Sequence, residues 1–284
     1  MNGQNSLLAG VNVLLEGPTG CGKTYSLGTL VDSGVETFVL FTENGLETLL
    51  GYWTDRKLEV PDNLRWHVLD RGTNTFDTMA KAAETINLLD LAALAKMQDV
   101  NRSKHNQFTG LLKSLSNFTD DRTGKSFGSV DTFGPDRCLV IDSLSGVNAI
   151  ALSLVVGSKP VRSMSDWGIS MSLIENLLRQ LCDGCKCHFV LTAHVERETD
   201  MVLGGVKLTV ATLGNKLAPK LTPLFSDVIM TTRDGIKFYW DTSNTQADLK
   251  ARNVPIANHI DPSFKQIMEK WKSRGGAFTP LVQK

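Results

Sequence analysis

The chain lacks a charge surplus. Thirty lysines and arginines are balanced by thirty aspartates and glutamates over 284 residues. No global field advertises a nucleic-acid partner, so any DNA contact has to come from local loops. Also missing is an apolar run of about 18 residues, the length that spans a bilayer. No charged-then-apolar export signal opens the sequence. Cysteine is scarce: Cys21, Cys138, Cys182, Cys185 and Cys187 are odd in number, which argues against a disulfide framework and fits a reducing compartment. These absences predict a soluble, cytoplasmic protein with no membrane partner. The 42% hydrophobic content suffices for a core, and the length suits one large α/β domain or two small ones.

What is present begins with Gly17-Pro18-Thr19-Gly20-Cys21-Gly22-Lys23-Thr24. It fits the phosphate-loop pattern G-x-x-x-x-G-K-[ST] at every fixed position. Val11 to Glu16 read as a buried strand, and Tyr25 to Asp32 as a helix. Strand, glycine loop and helix are the context this motif needs. Glycines let backbone N–H groups approach phosphate oxygens, and the helix N-terminus adds positive potential. Lys23 suits the β- and γ-phosphates, and the Thr24 hydroxyl suits Mg2+. A nucleoside triphosphate and Mg2+ follow as ligands.

A second strand is expected at Glu36–Thr42, with Glu43 at its C-terminal end, where ligands collect in an open parallel sheet. Glu43 there could orient an attacking water, or it could be a first-turn acid for a helix over 46–52. A third strand covers 64–69. Phe76, Met79, Ala80, Ala83, Ile86 and Leu89 predict an amphipathic helix over 74–98, followed by a shorter helix at 106–118 and a long loop from Thr119 to Pro135. Lys104, Lys113, Arg122 and Lys125 read as a solvated face. Cys138-Leu139-Val140-Ile141-Asp142 is an apolar strand ending on one acid, which suits Asp142 to the Mg2+ shell, through water or Thr24.

Val156 to Asp166 reads as a mobile polar loop, and Trp167 to Cys182 as an amphipathic helix capped by Asp166. Cys182, Cys185, Cys187 and His188 have metal-like spacing. However, Cys187 and His188 lead into a strand and should face opposite ways, so small buried cysteines are the preferred reading. His194 follows a strand over 188–192, as a γ-phosphate sensor or a structural histidine. A loop over 196–213 comes next, then an antiparallel pair over 225–232 and 236–240. Lys250 and Arg252 are spaced i, i+2, so on a strand both face one side.

This order of parts resembles the RecA-like ATPase core, most nearly the compact phage ATPases that include single-strand annealing recombination proteins. The motifs that carry it are the phosphate loop, Phe41-Thr42-Glu43, Leu139-Val140-Ile141-Asp142-Ser143, Leu191-Thr192-Ala193-His194, Gly204-Gly205, Gly214 to Lys220, and Lys250-Ala251-Arg252-Asn253. The resemblance implies an α/β fold: a mostly parallel sheet flanked by helices, with antiparallel strands near the C-terminal edge. The core spans 1–254, with an insertion at 71–135, and 255–284 form a tail with one helix. Glu43 takes the place of the family's catalytic glutamate and His194 that of its sensor. Lys250 and Arg252 correspond to fingers that reach a neighbouring subunit's γ-phosphate in a homo-oligomeric ring or filament. Lys159 and Arg162, with Arg197 and Lys207, fall in loops where the family contacts DNA. The implied function is Mg-dependent ATP hydrolysis on single-stranded DNA in phage recombination or replication, in the host cytoplasm. The alternative is a nucleotide-gated, protein-remodelling ATPase. A small-molecule kinase fits less well, because no arginine-rich lid is present.

Overall fold

The computed structural model describes residues 8–70, 75–97, 105–199, 204–214, 216–243 and 246–278. In chain order the elements are β1 (Asn12–Glu16), α1 (Lys23–Val31), β2 (Glu36–Phe41), α2 (Leu46–Thr54), β3 (Leu64–Val68), α3 (Phe76–Leu88), α4 (Leu91–Lys96) and α5 (Gln107–Ser116). They continue with β4 (Arg137–Asp142), α6 (Leu144–Val156), α7 (Met164–Arg179), β5 (His188–Ala193), β6 (Val195–Thr199) and β7 (Val206–Val210). The last are α8 (Ala218–Leu221), β8 (Asp227–Asp234), β9 (Lys237–Asp241) and α9 (Lys265–Ser273).

One seven-stranded sheet runs β3-β2-β4-β5-β1-β8-β9. All its pairs are parallel except β8 with β9. This is the α/β architecture expected from the sequence. Strand periodicity of two divides the core into two layers. Leu14, Phe38, Leu40, Leu139, Ile141, Phe189 and Leu191 face α5, α6 and α7. Val13, Leu15, Val39, Phe41, Cys138 and Val140 face α1, α2 and α9. The tail helix belongs to this second layer: Phe264, Ile267, Met268 and Trp271 are buried there, and Trp271 Nε1 donates to Ala9 O at 2.9 Å.

Several expectations change. The single helix over 74–98 is two, α3 and α4, because Asp90 caps a new start by accepting from Ala93 N–H at 2.7 Å. Its apolar residues do not enter the core, with Phe76 89% and Met79 55% exposed. By contrast, Phe108, Leu111, Leu115, Phe118, Val130 and Phe133 are buried against the sheet. Lys104 lies outside the described residues. Arg122 is not merely solvated: it donates to Pro61 O at 3.1 Å and lies over the Trp66 ring. Helix α7 starts three residues before Trp167. Ser163 is its N-cap and Asp166 the reciprocating acid of a capping box, rather than the cap itself. The expected loop at 196–213 contains an antiparallel hairpin, β6–β7. Residues 200–203 of that loop, and Asn215, lie outside the described residues. Cys187 packs in the first layer and His188 in the second, against Trp271, so they do face opposite ways. Among the described residues no cluster of three or more His, Cys, Asp or Glu side chains could hold a metal ion, and no helix is long and apolar enough to cross a membrane.

Candidate functional site

Strand β1 ends on Glu16 and releases the chain into Gly17–Thr24 at the C-terminal edge of the sheet. Glycine is required at two points of this loop by close approach. A Cβ on Gly17 would meet Thr231 Oγ1 at 2.1 Å. Gly22 has φ 82° and lies against the Phe238 ring, which a Cβ would approach to 3.0 Å. The loop then opens into α1, whose first-turn N–H groups point outward.

Lys23 folds over the loop, donating to Gly17 O and Pro18 O, both at 2.8 Å. Burial lowers its pKa, opposed by the negative charges around it, Asp142 and Glu43 among them. The Thr24 hydroxyl donates to Asp142 Oδ2 at 2.9 Å. Thr192, on the neighbouring strand β5, donates to Asp142 Oδ1. Burial raises the Asp142 pKa, and these two hydrogen bonds oppose the rise. The hydroxyl–carboxylate pair offers hard oxygen donors of the type Mg2+ takes.

Glu43 follows β2, and its Oε2 accepts from Ser143 Oγ at 2.5 Å. His194 follows β5; its Nδ1 lies 3.4 Å from Thr19 Oγ1 and 3.5 Å from Lys23 Nζ. Burial, then the Lys23 charge, lowers the His194 pKa, which favours neutral imidazole. Phosphate-loop residues, Glu43, Asp142 and His194 thus line one cavity of about 260 Å3, with Asn44, Thr48 and Ser143. Ser143 and Thr192 carry no signal of their own in the sequence, although each stands within two residues of a candidate site residue, Asp142 or His194.

A second cavity, about 740 Å3, adjoins the first through Gly22 and Tyr25. Tyr25, Tyr52, Phe238 and Tyr239 supply its aromatic walls, and Arg56, Lys237 and Lys265 its positive charge. Its residues come from four distant stretches, so only the first, Gly22 of the phosphate loop and the helix residues after Thr24, carried a signal in the sequence.

Lys250 and Arg252 are not brought to this cavity. Lys250 makes an isolated bridge to Val228, and Val228 pairs with Leu14, below the loop end of β1. The strand expected around the pair is absent. The Lys250 ammonium donates to Pro223 O at 3.3 Å and Phe225 O at 2.5 Å, where the α8 region gives way to β8. Arg252 is exposed; its N–H donates to Asp227 Oδ1 at 2.7 Å, at the start of β8. That is the opposite end of the sheet from the phosphate loop.

The loop cations are also mostly engaged. Lys159 pairs with Asp166 at 2.9 Å and Lys207 with Asp248 at 2.7 Å. Arg162 lies over the Trp167 ring, 5.7 Å from its centroid. Arg197 is exposed on β6.

No family model and no curated protein matches the chain. Among solved structures, it is similar to the assembled ATPase EscN from enteropathogenic E. coli, with 13% identity and a TM-score of 0.38. That match covers 80% of this chain and 44% of EscN, so the chain spans less than half the EscN length. The RadB recombinase matches with 14% identity over 84% of each chain and a TM-score of 0.35. Flagellar accessory protein FlaH from Methanocaldococcus jannaschii matches with 9% identity, 82% of this chain and 77% of its own, and a TM-score of 0.31.

Proposed function

We propose that the chain is a Mg-dependent ATP hydrolase of RecA-like type. The observation that carries this reading is the Thr24–Asp142 hydrogen bond beneath the phosphate loop, in a cavity that also contains Lys23 and Glu43. Loop amides and Lys23 bind the phosphates. Thr24 and Asp142 hold Mg2+, which neutralises phosphate charge when bound. Glu43 orients the attacking water and takes its proton as the bond from the γ-phosphorus to the leaving oxygen breaks. His194 senses the γ-phosphate beside Lys23. The aromatic cavity beyond Tyr25 is large enough for the nucleoside, and its tyrosines suit a stacked base. The test is phosphate release from ATP with Mg2+ or a chelator. Lys23→Ala is expected to remove nucleotide binding or turnover, and wild-type turnover by that variant would overturn the reading.

Arg252 stands at the sheet end opposite the phosphate loop, so it serves catalysis only from a neighbouring copy. A contact of one end against the other is head-to-tail, which generates rings or filaments. We propose such a homo-oligomer, with ATP at the interface.

The favoured partner is single-stranded DNA, contacted through Lys159, Arg162, Arg197 and Lys207. Arg162 with Trp167 forms a cation–aromatic pair suited to bases. A second reading, an ATPase that remodels or loads a protein, is favoured by one observation: Lys159 and Lys207 are already neutralised by Asp166 and Asp248. ATPase rates with and without single-stranded DNA separate the two.

A further inference from the structure

Ser143 is the N-cap residue of α6, with extended backbone at φ −137° and ψ 175°. A serine hydroxyl at that position ordinarily accepts a hydrogen bond from an N–H of the helix's first turn. Here the side chain makes no capping bond. It donates instead to Glu43 Oε2, on the neighbouring strand end. Thr42 fixes the main chain of Ser143 from both sides. The Ser143 N–H donates to Thr42 Oγ1 at 2.9 Å, and that hydroxyl donates to Ser143 O at 2.7 Å. The Thr42 N–H donates to Asp142 O at 2.8 Å. Helix α6 packs tightly on this junction, since a Cβ on Gly146 would meet Thr42 Oγ1 at 2.3 Å. Ser143 itself is 3% exposed. A hydroxyl held this firmly restricts the carboxylate it binds. It does so at the expense of the helix bond that the same hydroxyl could make.

We infer that Ser143 is the positioning residue for Glu43: its hydroxyl fixes one carboxylate oxygen so that the other meets the attacking water. The inference rests on the hydrolase reading above and adds to it the group that aims the base. Water contributes its oxygen to the γ-phosphorus, the bond to the leaving β-phosphate oxygen breaks, and the water's proton passes to the aimed oxygen of Glu43. Ser143 donates its hydrogen bond throughout and is not consumed.

The test is a double-mutant cycle in the full chain, with Ser143→Ala, Glu43→Gln and both together, using Mg-ATP. Ser143→Ala is expected to lower kcat about tenfold with KM within about twofold, as for an interaction that matters mainly in the transition state. In the Glu43→Gln background the same change should alter kcat little, because Ser143 acts through Glu43. A purely structural role would lower kcat equally in both backgrounds, and that result overturns the inference. So does an unchanged kcat in Ser143→Ala. An increase also overturns it, since the contact would then restrain Glu43 from acting. If Glu43→Gln alone keeps wild-type kcat, the role of Glu43 fails first, and the two failures are told apart. Because the hydroxyl makes no capping bond, Ser143→Ala should melt near the wild type; should it not fold, Ser143→Cys takes its place in the same cycle.

Discussion

The Thr24 hydroxyl donates to Asp142 Oδ2 at 2.9 Å across 118 residues of chain. That bond ties the first turn of the phosphate-loop helix to the end of the second strand over, and Thr192, on the strand between, holds the other carboxylate oxygen. Strands β1, β5 and β4 are thereby locked, at their shared C-terminal edge, around one hard-oxygen pair.

Asp142→Asn keeps the shape of this pair but removes its charge. Nucleotide-dependent turnover should fall by at least about a hundredfold, the scale of loss expected when a charge that organises phosphoryl transfer is removed. A Mg2+ titration of phosphate release checks it: the half-saturating Mg2+ should rise in the variant and in Thr24→Ala. Unchanged Mg2+ dependence in both would separate this pair from the metal.

Much of this was legible in the sequence because it is local. The spacing of Gly17, Gly22, Lys23 and Thr24 is its own signature, and the apolar run 138–141 ending on Asp142 needs only strand alternation. Other features were hidden because they depend on long-range placement. Which sheet end holds Lys250 is decided by its bridge to Val228, not by the i, i+2 spacing. Val195-Glu196-Arg197-Glu198-Thr199 is too charged to announce a strand, and becomes one through pairing with 206–210. The apolar stripe of α3 had the right period, yet Phe76 and Met79 are exposed, so periodicity named the helix without naming what covers it.

Stability should depend on pH through two buried groups. Glu16 is 2% exposed, and burial, with the Asp248 charge, raises its carboxyl from 4.5 to about 8. The folded chain then binds a proton that the unfolded chain releases, so stability falls as pH rises between those values. The loss is at most on the order of 5 kcal/mol. His188 acts oppositely: burial lowers it from 6.5 to about 4, so stability is lost as pH falls through that window. Guanidinium midpoints should therefore drop from pH 6.5 to pH 8, above the His188 window, in the wild type and change less in Glu16→Gln. An equal drop in both proteins would remove Glu16 as the cause.

Lys250 and Arg252 should separate when mutated singly. The Lys250 ammonium binds carbonyl oxygens of its own chain. Lys250→Ala is expected to cost about 1–3 kcal/mol of stability, the usual effect of leaving such acceptors with a charged donor removed, measured by denaturant unfolding. Arg252→Ala leaves those contacts alone, and should spare nucleotide binding while removing turnover. Mixing it with the turnover-deficient Lys23→Ala should restore activity in part, because a mixed interface pairs an intact phosphate loop with an intact Arg252. Full turnover by dilute, monomeric Arg252→Ala would sink the neighbouring-subunit role.

Salt decides between the partner readings. A nucleic acid releases counterions when cations replace them, so stimulation of the ATPase by single-stranded DNA should fade steeply from about 50 to about 200 mM salt. Lys207 refines the expectation. Because it is paired with Asp248 at 2.7 Å, it contributes to DNA binding only after that pair is broken. If DNA binds here, Asp248→Asn frees the lysine and should strengthen stimulation at a given salt, while Arg162→Ala should weaken it. Anisotropy of a labelled oligonucleotide, read alongside the rate, gives affinity independently of turnover. If neither affinity nor rate responds to DNA at either salt, and Asp248→Asn changes neither, the Lys207–Asp248 pair is holding the hairpin in place, and the protein-remodelling reading is the one that stands.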